Sequence, residues 1–139
     1  MIQPNELRIK NIIKNPRYFK EWGQHLYQTV ECICGKDIST NKDDWDADYL
    51  EPVELTPDIL EAAGFKKAIT RDYCERYFIG ENPVTHDWLL DLLWLHSEKF
   101  PFYRNGHHKI KYLHQLQNLY YCLTREELQI DITKLNKEK

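Results

Sequence analysis

The chain has 139 residues, 42% hydrophobic and 29% charged, with a formal net charge of -3 and a pI near 6.1. That length suits one domain with a core of its own, and the mean hydropathy of -0.69 excludes a membrane-embedded chain. A pI this low also argues against a general duplex-DNA binder, which is expected to be basic.

In chain order, Ile9, Ile12 and Ile13 form a short apolar segment that Asn15-Pro16 ends as a turn. From His25 to Cys34 the pattern alternates, with Leu26, Val30, Cys32 and Cys34 on one face and Tyr27, Thr29, Glu31 and Ile33 on the other. A strand is expected, with Cys32 and Cys34 as small buried hydrophobes. Residues 35–48 read as a polar loop, and Tyr49 to Leu55 as a short strand that Pro52 confines to an edge. Thr56-Pro57-Asp58 opens a helix of about two turns. Ile59, Leu60 and Ala63 supply its buried side, Gly64 stops it and Phe65 packs beneath its end.

Residues 66–80 return to β character. Residues 84–96 suit either a helix or a strand buried on both faces, and a strand leading to a hairpin is preferred, with Asn105-Gly106 as its turn signal. The run Trp88 to Leu95 is interrupted by Asp91 and is too short to span a bilayer, and the N-terminus has no apolar signal region. Residues 110–123 form the clearest element, an amphipathic helix. Leu113, Leu116, Leu119, Tyr120 and Leu123 make its apolar stripe; His114, Gln117, Asn118 and Tyr121 make the opposite, polar face. Thr124 and Glu127 restart a turn, and residues 131–139 form a charged, frayed tail after a single domain spanning 1–130.

Charge is unevenly laid out. Residues 31–62 hold ten acids against two lysines, whereas residues 8–20 and 99–125 each hold five cations and no acid. Either the blocks neutralise one another across the fold, or the two basic segments build an anion-binding surface. Of these, residues 100–112 mix rings, cations, amides and imidazoles without an acid, a combination suited to stacking on a base while pairing with phosphate.

Other chemistry is thinly represented. His86, His96, His107, His108 and His114 lack a spacing that places two imidazoles on one helical face, and the four cysteines lack a zinc pattern. No metal or cofactor is expected. His86-Asp87 could be half of a general-base pair, but no side chain has the context of its nucleophile. No glycine-rich phosphate loop is present.

Three segments together carry a resemblance: Pro52 to Leu60 with Gly64-Phe65, Asn82-Pro-Val-Thr-His-Asp-Trp88, and Ile110-Lys-Tyr-Leu-His-Gln-Leu-Gln-Asn-Leu-Tyr120 with Leu123-Thr124 and Glu126-Glu127-Leu128. Over Leu7 to Leu128 the chain resembles a family of small proteins encoded by phages, prophages and mobile elements of anaerobic gut bacteria. The resemblance implies a phage-type accessory protein in the cytoplasm of a bacterial host; it transfers no functional residues.

The expected fold is α+β: a small bent antiparallel sheet, one short helix, and the C-terminal amphipathic helix packed on the sheet. The expected function is non-catalytic binding, in the manner of a host-defence inhibitor that sequesters an anionic, nucleotide-like ligand. Its binding residues would be Tyr103, Arg104, His107, His108, Lys109, Lys111, His114, Gln117 and Asn118. The alternative is a protein-interaction module that inhibits or adapts a host complex through the acidic residues 37–51. A small hydrolase using His86 and Asp87 ranks third. A small ligand, a host protein or a second copy of the chain are the partners considered; a membrane and duplex DNA are not.

Overall fold

A computed structural model, describing residues 4–71, 74–81, 88–103 and 108–137, shows an α+β fold built on two antiparallel sheets. The first has the order β1 (Ile12–Lys14), β2 (Tyr27–Cys34), β3 (Asp37–Thr40), β4 (Asp44–Asp46). Between β1 and β2 lies a helix, α1 (Pro16–Trp22), where the sequence suggested only a turn. Asn15 starts it by accepting from the Tyr18 amide at 3.1 Å, Pro16 fits the first helical position, and Gly23 ends it at φ 69°.

Two expectations about this half are corrected. A bulge between Val30 and Cys32 shifts the phase of β2, so Gln28 and Val30 point inward before it, while Cys32 and Cys34 are exposed after it. The presumed loop at 35–48 is instead β3 and β4, followed by a 3-10 turn at Ala47–Tyr49. Its inward side chains, Ile38 and Ala47, join Leu7, Ile13, Val30 and Leu50 in a small core.

The second sheet runs in chain order: β5 (Lys66–Arg71), β6 (Cys74–Glu81), β7 (Trp88–Leu95), β8 (Phe102–Tyr103), β9 (His108–Lys109). The ambiguous apolar stretch is therefore a strand, paired with β6 from Cys74↔Leu95 to Glu81↔Trp88. Leu90 and Leu92 face the main core, and the intervening Asp91 meets the Arg76 guanidinium through two bonds of 2.9 Å. Asn105-Gly106 falls outside the described residues.

Helix α2 (Pro57–Ala62) forms as its local signals require, with the Thr56 hydroxyl accepting from the Ile59 amide and with Ile59, Leu60, Ala63 and Phe65 buried. Helix α3 (Leu113–Thr124) begins three residues later than expected, because Ile110 to Tyr112 is extended and bonds outward to Pro101 and Leu55. The Gln115 side chain folds back to accept from the Lys111 and Tyr112 amides, closing the helix start. Instead of a frayed tail, Ile132–Lys137 form α4, which buries Leu135.

Val53, Leu60, Tyr77, Leu90, Leu92, Leu113 and Leu116 centre the main core, between the second sheet and the helices. Residues 50–55 join the two halves: Glu51 bridges to Lys14 of β1, and Glu54 to Tyr112 at the start of α3. Among the described residues no helix is long and apolar enough to cross a membrane.

Candidate functional site

The polar face of α3 turns inward. Gln117 is 2% exposed and His114 1%, while Leu123, assigned to the apolar stripe, is 43% exposed. The reason lies in the N-terminal segment. Strand β1 leaves backbone groups unpaired on the side away from β2, and Gln117 meets them: its Oε1 accepts from the Ile12 amide at 2.8 Å and its Nε2 donates to the Lys10 carbonyl at 3.2 Å. Asn118 extends the contact. Its Oδ1 accepts from Arg8 Nε and Asn11 Nδ2, each at 3.0 Å, and its Nδ2 donates to the Glu6 carbonyl.

Arg8 completes this clamp. Its guanidinium donates to both carboxylate oxygens of Glu127 and lies 4.3 Å from the centre of the Tyr121 ring. The two basic segments of the sequence thus meet in space, and Glu127 neutralises the cation at the junction. His114 sits at the edge of the clamp, stacked on Tyr112 with ring centroids 5.7 Å apart. Neither of its ring nitrogens has a hydrogen-bond partner among the described residues; the Glu6 carboxylate is 3.7 Å from Nε2, an ion-pair neighbour beyond hydrogen-bond reach. Burial holds this imidazole below its usual pKa, and Glu6 pulls the other way without offsetting it.

The other expected binding residues are more dispersed. Tyr103 is buried in the main core, with its backbone paired to His108. Lys109 is exposed and donates to the Glu98 carboxylate at 3.1 Å, and the Lys111 side chain faces solvent. Arg104 and His107 lie outside the described residues, as do His86 and Asp87. The described residues contain no group of three or more His, Cys, Asp or Glu side chains placed to hold a metal ion.

A second concavity lies elsewhere. A cleft of about 430 Å³ opens between the α1–β2 connection, the β3–β4 turn and α4, lined by Gly23, Gln24, His25, Asn41, Lys42 and Asn136 among others. No carboxylate is among its described lining residues. Amide side chains build its walls along the first half of β2, on the side away from β1: Asn136 accepts from the Tyr27 amide at 2.9 Å and donates to the Tyr27 carbonyl at 3.1 Å, and Asn41 Oδ1 accepts from the Thr29 amide. His25 holds a left-handed φ of 59°, and its imidazole lies 6.3 Å from the Tyr18 ring. Such a backbone is uncommon outside glycine and persists only where its surroundings impose it. Among the described residues Lys42 pairs with no carboxylate. Sequence reasoning missed this cleft because His25, Lys42 and Asn136 come from separate elements; the one local signal was a histidine two residues after a helix-ending glycine.

In comparisons with known proteins, no family model, no curated protein and no solved structure matches the chain.

Proposed function

We propose that this protein is a non-catalytic binding protein that captures a small anionic, nucleotide-like ligand, with the phage-type accessory role implied by its sequence resemblance. The observation that carries this reading is the cleft of about 430 Å³ with Lys42, His25 and several amides on its walls and no carboxylate among its described lining residues. Its size lies in the range of small-molecule sites. A cation that pairs with no carboxylate among the described residues, together with neutral amides, favours an anion there, and a flat imidazole offers a stacking surface for a base.

The 100–112 segment, with Arg104, His107, His108, Lys109 and Lys111, is the second locus for the same ligand class. Thermal-shift titration with linear and cyclic nucleotides and with inorganic phosphate tests the function. The expected result is a rise in Tm that Lys42→Glu abolishes and Arg104→Glu leaves in place. The reverse pattern moves the site to the second locus, and flat curves across the panel reject the function.

A further inference from the structure

The two cleft walls that carry His25 and Lys42 are joined by buried polar side chains centred on Gln28. This residue lies on β2, opposite Ile13 of β1, and is fully buried. Its Nε2 donates to the His25 carbonyl at 3.0 Å. Its Oε1 accepts from the Thr40 hydroxyl at 2.6 Å and from Asn15 Nδ2 at 3.3 Å. The Thr40 oxygen in turn accepts from the Lys42 amide at 3.1 Å and from the Asp43 amide at 3.3 Å. One buried amide therefore links the connection bearing His25 to the turn bearing Lys42.

The direction of these bonds is set from one end. Asn15 caps α1 with its Oδ1, so its Nδ2 is the group that meets Gln28. Gln28 must then present its oxygen to Asn15 and its N–H group to the His25 carbonyl. Turned the other way, the amide would set donor against donor at Asn15 and oxygen against oxygen at His25. The Thr40 proton goes to the Gln28 oxygen, with the Asp43 carbonyl a longer alternative at 3.3 Å. The Thr40 lone pairs are then free for the two turn amides. His25 is where such support is needed, because its left-handed backbone persists only when its surroundings impose it. Asn15 also starts the helix whose Tyr18 ring lies 6.3 Å from the imidazole.

We infer that Gln28 is the positioning residue of the cleft, holding the His25 wall and the Lys42 wall in one arrangement. The inference rests on the reading of the cleft as a site for a small anion. A ligand with both a flat base and a phosphate uses the two walls together. It gains from their being arranged before it arrives. Inorganic phosphate needs Lys42 alone and gains nothing from that arrangement. Gln28 thus acts through other residues and selects nucleotide over phosphate.

Two variants test the link in the free protein by NMR. Thr40→Val keeps the shape and removes the hydroxyl; it should shift the His25 carbonyl carbon, and Thr40→Ser should return it. Gln28→Met should speed hydrogen exchange at the Lys42 and Asp43 amides, although it touches neither. Titration calorimetry with adenosine monophosphate, its cyclic form and inorganic phosphate gives the second readout. Thr40→Val should weaken the nucleotides at least about tenfold and phosphate by less than about threefold, and Thr40→Ser should recover the difference. Equal weakening of nucleotide and phosphate, the mark of a merely loosened fold, overturns the inference. So does a His25 carbonyl carbon that ignores Thr40→Val, or turn amides that ignore Gln28→Met. Flat titrations of the wild type reject the nucleotide reading of the cleft. The NMR responses then decide the inference by themselves: if they occur, Gln28 remains the link between the walls, and if they do not, it falls too.

Discussion

Gln117 uses both ends of its amide on the backbone of the N-terminal segment, so Gln117→Ala removes an acceptor from Ile12 and a donor from Lys10 together. Leaving buried backbone groups unmet should cost about 1–3 kcal/mol, read as a lower urea midpoint with unchanged m-value. Gln117→Glu keeps an acceptor for Ile12 but turns an oxygen towards the Lys10 carbonyl, so it should recover little of that loss; full stability in either variant would mean that the amide does not clamp. His114 on the same face predicts a pH dependence. Its folded pKa is lowered by burial, so the unfolded chain takes up the proton at higher pH than the folded one. Stability is therefore complete above the unfolded value of about 6.5, declines as pH falls below it, and levels off only beneath the lowered folded value. Urea midpoints measured across this window should show the decline, and His114→Leu should flatten it. Glu6→Gln removes the opposing pull and should carry the decline to lower pH.

At the scale of elements, β2 offers the most direct check. The bulge at Val30/Cys32 turns Cys32 and Cys34 outward, Cys122 is exposed at the end of α3, and Cys74 is buried. Alkylation of the native protein should therefore modify three thiols quickly and Cys74 only on unfolding, as intact-mass spectrometry would count; protection of Cys32 would argue against the bulged register. The same element shows where sequence reading succeeds and where it stops. Strand β2 and helix α2 were legible because alternation and capping are local: Thr56, Pro57 and Gly64 each act within a few residues. A bulge leaves no mark on alternation, so the strand was found and its cysteine face was inverted. Residues 35–48 read as a loop because only Ile38, Thr40 and Ala47 are buried there, with Trp45 partly so, among many acids; Gly35 at φ 60°, in the two-residue turn between the paired Cys34 and Asp37, was the hairpin signal that composition hid. The polar face of α3 failed for another reason. Hydropathy separates polar from apolar, but a buried amide answers to a distant backbone, and Gln117 and Ile12 are 105 residues apart. The candidate cleft was illegible for the same reason, since its walls come from the α1–β2 connection, the β3–β4 turn and α4.

The whole molecule is two sheets and two core clusters; the main core also takes in Ile12 of β1 and Tyr27 of β2, and residues 50–55 and the clamp of the N-terminal segment on α3 add further joins. Arg8 and Gln117 hold the same segment from opposite ends, so their contributions should be coupled. Arg8→Ala removes the paired bonds to Glu127, the bond to Asn118 and the contact over Tyr121, at an expected cost of about 1–3 kcal/mol. Once either residue is lost, the segment is already loosened, and the second change should cost less than it does alone. A double-mutant cycle should then give a coupling of at least about 0.5 kcal/mol, above the error expected for independent sites. Hydrogen exchange locates the effect. The Ile12 amide should lose protection first, followed by the β1–β2 ladder, whereas the β6–β7 ladder packed on Leu90 and Leu92 should retain more of it, because Ile12 is the one residue of the clamped β1 strand in that core. Equal loss of protection in both sheets, with additive costs, would instead mean that the molecule unfolds as one unit and that the clamp is merely one contact among many.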